Sequence, residues 1–283
     1  MERIVVGMDG SATTRDALEW AVELARATGA EVIAVNAHTP GQSELRPGHL
    51  ERLRARRQEE LATWCADVFG DVPSTLEVVD GDPRNVIPAA VSRHGADLLV
   101  VASSGERSRG PGFLRIGSVV EHLAHHLDRP LAVITPGAPP TISRILVGVD
   151  GSDHGHSAIS WVAHVAEATG ANVTGVAITE PKHPLASPEF ADDWRAAAER
   201  ELTTRWAAPL GALGDRFRPI VTETTPVADT LIRLAGDEHA DVVVVGARGL
   251  GGIRGLRIGG TALGVLHRTK RPVVLVPSDP QDH

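Results

Sequence analysis

The sequence predicts an α/β protein built from two tandem copies of one domain, each a doubly wound, five-stranded parallel sheet with helices on both faces. Three observations predict it. The segment Ile4-Val5-Val6-Gly7-Met8-Asp9-Gly10-Ser11 returns as Ile145-Leu146-Val147-Gly148-Val149-Asp150-Gly151-Ser152, and a repeat this long that occurs only twice describes duplicated domains, not a solenoid. Within each copy, short β-branched runs alternate with longer amphipathic stretches. Runs such as Asp97-Leu98-Leu99-Val100-Val101 and Asp241-Val242-Val243-Val244-Val245 lack in-and-out alternation, as strands covered on both faces do. Strands and helices that alternate through right-handed crossovers make a parallel sheet.

In order along copy one, these periods place strands over 3–8, 31–36, 74–79, 97–102 and 131–134, with helices over 13–28, 49–69, 83–94 and 117–127. Copy two repeats the order, with strands over 144–149, 172–177, 217–222, 241–246 and 272–276. The offset of 141 holds through Trp20 and Trp161 and through Ala27-Thr28-Gly29-Ala30 against Ala168-Thr169-Gly170-Ala171. It becomes 144 at Asp97 and Asp241, then 142 at Arg129-Pro130 and Arg271-Pro272. Copy two has therefore gained three residues before Asp241 and has two fewer in the glycine-rich loop that follows. Pro136-Gly137-Ala138-Pro139-Pro140 reads as a short stiff linker, so the expected domains are 1–138 and 142–283.

Composition excludes several function classes. The 283 residues carry a net charge of -8 and only 3% aromatics, with no Tyr. A nucleic-acid surface needs a basic face and stacking rings, and neither is well supplied. Cys65 is the single cysteine; it cannot form an internal disulfide and fits a reducing cytosol, the expected location. Lacking a basic neighbour in sequence, it reads as a packing residue. No apolar run approaches the roughly 20 residues of a membrane span, and Met1 leads into Arg3-Ile4-Val5-Val6 without a signal-peptide pattern.

Ligands in doubly wound sheets bind beyond the carboxyl ends of the strands, where the winding reverses. After strand four of copy two comes Gly246-Ala247-Arg248-Gly249-Leu250-Gly251-Gly252-Ile253-Arg254-Gly255-Leu256-Arg257-Ile258-Gly259-Gly260-Thr261, which leads into a helix. Such a loop lets backbone N–H groups approach an anion, and the helix end adds a positive dipole, so the pattern is a phosphate cradle. The plainer alternative is a glycine-rich connector. The loop is neither a Walker A motif nor the dinucleotide G-x-G-x-x-G that opens a first βα turn, which disfavours P-loop NTPases and Rossmann dehydrogenases.

With these residues in view, the chain resembles the universal stress protein family in its tandem form, over essentially its whole length. ATP-binding members of that family carry Gly, two residues, Gly, nine residues, then Gly followed by Ser or Thr, with an Asp closing strand one. Gly246, Gly249 and Gly259 fit that spacing; Gly260 stands where a hydroxyl is expected, and Thr261 follows. In copy one, Ala102 replaces the first Gly, Gly105 is followed by eleven residues, and Gly117-Ser118 closes the motif. The resemblance implies a flavodoxin-like fold for each half. It makes Asp9 and Asp150 ligands to a ribose or a phosphate-bound metal, and puts the backbone of Ala37 and Ile178 against adenine. The amides of Ser118 and Val119 would meet phosphate. Arg115 and Arg257, equivalent at offset 142, with Arg109, Arg248 and Arg254, would supply the cationic charge of the missing Walker lysine.

Each residue also has a plainer reading. Asp9 and Asp150, followed by Gly-Ser, cap the next helix; Ser118 is then an N-terminal hydroxyl, and the arginines form a solvated basic loop. His122, His125 and His126 have metal-ligand spacing, but copy two keeps only His267, which favours exposed or partner-facing histidines. Arg52, Arg54, Arg56 and Arg57 are flanked by Glu51, Glu59 and Glu60, so they read as a solvated helix face with intrahelical pairs. Trp20 and Trp161 read as core anchors.

The leading expectation is an ATP-binding regulatory protein, with Mg²⁺ as an optional companion of the ATP and with at most slow hydrolysis or self-phosphorylation. The alternatives are an ATP-cleaving hydrolase or nucleotidyl-transfer enzyme, and an interaction module with decayed sites. By resemblance, the halves would pack through Leu131–Ile134 and Val273–Val276, and two chains would associate as a homodimer. No nucleic acid or membrane partner is expected.

Overall fold

The computed structural model describes residues 1–39, 49–104, 116–126, 128–179, 196–249 and 258–278. The chain divides into two compact units, Met1–Thr141 and Ile142–His283. In unit one the elements are β1 (Arg3–Met8), α1 (Ala12–Thr28), β2 (Glu31–His38), α2 (His49–Phe69), β3 (Ser74–Asp80), α3 (Pro83–His94), β4 (Leu98–Ala102), α4 (Ser118–His125) and β5 (Leu131–Ile134). Its strand order is β3-β2-β1-β4-β5, every pairing parallel.

Unit two repeats this with β6 (Arg144–Val149), α5 (Asp153–Thr169), β7 (Asn172–Thr179), β8 (Phe217–Glu223), α6 (Val227–Asp237), β9 (Val242–Gly246), α7 (Gly260–Arg268) and β10 (Val273–Val276). The order is β8-β7-β6-β9-β10, again all parallel. The doubly wound class is as the sequence predicts. Within that class the winding reverses between β1 and β4, and between β6 and β9, which sets the crevice at the carboxyl ends of those strands.

Local chemistry explains why the repeat folds twice alike. Ser11 and Ser152 cap α1 and α5, their side chains accepting from Thr14 N and Gly155 N. Gly29 and Gly170 end those helices in the left-handed region, with φ of 77° and 74°, where a Cβ would be strained. Asp97 Oδ2 accepts from the amides of Glu2 and Arg3, and Asp241 Oδ2 accepts from those of Ser143 and Arg144. The repeated aspartates thus pin the start of the first strand of each unit. All five residues of β4 are buried, as are four of β9, which is the two-sided cover their unbroken apolar runs require.

The repeat is not uniform. Trp20 is 1% exposed and anchors the core, whereas Trp161 is only half-buried and its buried Nε1 finds no hydrogen-bond partner, so the shared position does not give a shared role. The second helical segment also differs. Unit one has the 21-residue α2; in unit two α-helical residues 196–201 run into a π-helical turn, Leu202–Trp206, and 3-10 turns over Ala208–Arg216 that break at Gly214.

Candidate functional site

Sheet register gathers the candidate residues at the crevice. Met8 pairs with Asn36 and Gly7 with Val101, so Asp9, Ala37 and Ser103 follow on in one row at the strand ends. In unit two Val149 pairs with Ala177 and Val147 with Val244, which puts Asp150, Ile178 and Ala247 in the equivalent row. Ala37 and Ile178 are half-buried there.

Each aspartate organises the turn between strand and helix. Asp9 Oδ1 accepts from Ser11 N at 2.9 Å and from Thr14 Oγ1 at 3.1 Å. Asp150 Oδ1 accepts from Ser152 N at 3.0 Å and Ser152 Oγ at 2.6 Å. The caps are thus Ser11 and Ser152 and not the aspartates; Asp9 and Asp150 hold the turns that present those serines, and a carboxylate that bonds its own turn is fixed in direction at the crevice. The turn is tied across the crevice as well. Thr13 Oγ1 donates to Ser104 O at 2.8 Å, and Ser152 Oγ, whose one proton goes to Asp150, lies 3.4 Å from Arg248 O.

The glycine loops close in the same way despite their different lengths. Gly117 N donates to Ser103 O at 2.9 Å, and Gly259 N to Ala247 O at 2.7 Å. Gly117 and Gly259 are the N-caps of α4 and α7, and neither helix has a side-chain cap. The first amides of both helices accordingly have neither an intrahelical acceptor nor a capping side chain, and they present positive partial charge at the crevice. Ser118, Gly260 and Thr261 are exposed and Val119 is half-buried. With the caps equivalent, Thr261 corresponds to Val119, so its hydroxyl lies about 100° further round the helix than that of Ser118.

Glycine is required in unit two by close approach. A Cβ on Gly246 would lie 2.8 Å from His154 C, and one on Gly249 would run into Asp150 Oδ2. A Cβ on Gly259 would meet Arg248 Cα at 3.4 Å. At Gly246 and Gly249 the space a side chain needs is thus taken by α5 and Asp150, whereas at Gly259 a Cβ would make ordinary contact. In unit one Ala102 already carries a Cβ at the position of Gly246, so the two crevices differ in how tightly helix and strand approach. Gly105, Arg115 and Arg257, together with Arg109 and Arg254, lie outside the described residues.

Several contributors are not visible in the sequence. Arg57 lies in the arginine run read as a solvated face with intrahelical pairs; Arg56 and Arg57 both pair with Glu60, at 2.9 and 3.7 Å, but Arg57 Nη2 also donates to Asp9 O at 2.7 Å. Trp206 packs on Gly151. His154, four residues after Asp150, accepts from Ser278 N at Nδ1, at 2.7 Å. Burial, and then the charge of Arg248, hold its pKa below the ordinary histidine value. The buried Nε of Arg248 has no hydrogen-bond partner.

The other titratable candidates stay outside the crevice. Cys65 is fully buried, and burial pushes its thiol up to about 11, as suits a packing residue. His122 and His126 stack with ring centroids 4.2 Å apart, and His126 Nδ1 donates to His122 O. Among the described residues no cluster of three or more His, Cys, Asp or Glu is placed to hold a metal ion, and no helix is long and apolar enough to cross a membrane.

Comparison with known proteins follows the same division. The model of the Universal stress protein family matches residues 1–135 and again 141–277. Universal stress protein Rv2623 of Mycobacterium tuberculosis is 28% identical over 96% of this chain and 95% of its own length. Universal stress protein Rv1996 of the same organism is 27% identical over 98% and 96%. Among solved structures, a universal stress protein from Archaeoglobus fulgidus DSM 4304 has a TM-score of 0.73 at 18% identity, covering 98% of both chains, a likeness of fold.

Proposed function

The chain belongs to the universal stress protein family, as two tandem domains, and from that premise we propose that it binds ATP at the crevice of each unit and works as a nucleotide-dependent regulatory factor. The observation that carries the reading is the repeated pairing, across one crevice, of a turn-fixed aspartate with a glycine-capped helix N-terminus. The uncapped amides of Ser118 and Val119, and of Gly260 and Thr261, suit phosphate oxygens without a Walker lysine. Asp9 and Asp150 suit a ribose hydroxyl or a Mg²⁺ carried by the phosphates, and the backbone of Ala37 and Ile178 suits the base. Gly246 and Gly249 let α5 and Asp150 pack closely against the loop, and with Gly259, Gly105, Arg115 and Arg257 they belong to the same proposal.

The carboxylates repeated in both described crevices, Asp9 and Asp150, are engaged in holding their own turns, which supports a reading in which binding biases a conformation or a partner and turnover is slow. A cytoplasmic location and association with a second copy of the chain are parts of this proposal. Mass spectrometry of nucleotide released from gently purified protein, with titration by ATP and Mg²⁺, tests it. The expected result is bound ATP, with stoichiometry lowered by Asp9→Ala and by Asp150→Ala separately. Absence of nucleotide in both measurements overturns the reading.

A further inference from the structure

We propose that Asn36 and Arg57 are positioning residues of the unit-one site: they hold the peptide groups on either side of Asp9 and so set its carboxylate for the ligand, whereas unit two carries alanine and tryptophan in their places. This rests on the nucleotide reading above and names two residues which that reading does not use.

Met8 ends β1 and Asp9 follows it. Asn36 Nδ2 donates to Met8 O at 2.8 Å, and Arg57 Nη2 donates to Asp9 O at 2.7 Å. The first donor comes from β2, where Asn36 is in register with Met8; the second reaches over from α2 and carries a full charge, which strengthens its bond. Arg57 is itself held in place. Its Nη1 lies 3.7 Å from Glu60 Oε2, and it rests on the Gly10 turn, where a Cβ would lie 3.1 Å from Nη2. Because a peptide unit is planar, holding the carbonyls before and after the Asp9 Cα fixes both of its dihedrals and so the direction of its Cα–Cβ bond. Asp9 Oδ1 accepts from Ser11 N and Thr14 Oγ1, so backbone and carboxylate are secured together.

The repeat shows that the fold does not need these donors. Ala177 stands at the place of Asn36, in register with Val149 as Asn36 is with Met8, and it is 2% exposed where Asn36 is 3%. Against Gly151 lies the ring of Trp206, where Arg57 lies against Gly10. Unit two nevertheless keeps the equivalent strand order, the serine cap and the aspartate turn. An amide buried next to the apolar run Val32–Val35, all of it buried, costs free energy unless it is hydrogen-bonded, and the bond it makes is to the carbonyl just before Asp9. Two polar side chains from different elements thus converge on the single strand-end residue that the nucleotide reading makes a ligand.

The test uses the full chain, titrated with ATP and Mg²⁺ in a calorimeter, in two backgrounds: Asp150→Ala, which leaves the unit-one site, and Asp9→Ala, which leaves the unit-two site. In the first, Asn36→Ala and Arg57→Met are each expected to weaken ATP about ten-fold. Arg57→Lys, which keeps a donor, is expected to recover part of the loss shown by methionine, which keeps only the stem. In the second background all three variants should bind as their parent does, which a general loss of structure would not allow. Unchanged affinity of either Asn36→Ala or Arg57→Met in the first background, equal losses in both backgrounds, or no recovery with lysine overturns the inference and leaves ATP binding intact. So does an Asp150→Ala chain that binds no ATP while wild type does. Wild-type protein that binds no ATP overturns the nucleotide reading and this inference with it.

Discussion

The amide of Ser278 donates to Nδ1 of His154 across 2.7 Å and ties the chain just past β10 to the first turn of α5. The bond fixes the tautomer: Nδ1 accepts, so the neutral ring carries its proton on Nε2. Burial and then the Arg248 charge hold the folded pKa below 6.5, opposed by a hydrogen bond to the Val276 backbone and by Asp153 and Asp150.

A pH dependence follows. In the unfolded chain His154 binds a proton at a pH where the folded ring stays neutral, so stability rises with pH through that window and is lost as pH falls below about 6.5. The urea midpoint is expected to drop between pH 7.5 and 5.5, and to drop less in His154→Gln. An identical pH profile in the variant contradicts this.

Gly246→Ala should destabilise the protein by about 1–3 kcal/mol, because the added methyl meets the backbone of His154, which cannot rotate away. Ala102→Gly at the equivalent place in unit one should cost no more than about 1 kcal/mol, through backbone entropy. Paired denaturant titrations compare them, and equal costs would contradict the difference in approach between the two crevices.

Ser11→Ala is expected to cost about 1 kcal/mol as the loss of a helix cap. Ser152→Ala should cost more, up to about 2 kcal/mol, since Ser152 Oγ both caps α5 and donates to Asp150 Oδ1. Thermal melting of the two variants orders them.

Cys65 should resist thiol reagents in the native protein. Its thiol is fully buried and pushed up to about 11, so on the order of one in a thousand is ionised at pH 8. A chromogenic disulfide reagent is expected to titrate no thiol until urea is added, and then one; prompt native reaction contradicts this.

Much of the fold was legible in the residues. The β-branched runs placed β1, β5 and β6 to the residue and the other strands to within two at either end; the central strands, covered on both faces, read as unbroken apolar runs, while the part-exposed edge strands β3 and β8 follow from their place in the repeat. The crevice was legible in part. Asp9 and Asp150, Gly117 and Gly259 lie where the repeat puts them. Arg57 was hidden in a charged run that does form intrahelical pairs, its own with Glu60 included, and Trp206 lies in a segment that one copy folds as α2 and the other as a short α-helical stretch followed by π and 3-10 turns.

By itself, the sequence determined the duplication, the order of strands and helices, and the serine and glycine caps, since period, capping and left-handed turns are set by residues within a few positions of one another. Only the tertiary structure decided what covers each aspartate turn. Arg57 reaches Asp9 from 48 positions away, and the glycines at 246 and 249 matter because α5 and Asp150 press against them. Such contacts depend on where whole helices pack on the sheet, a sum over many buried side chains that no local pattern encodes. That is why two copies of one motif, alike in their caps and strands, present an indole at one crevice and a guanidinium at the other.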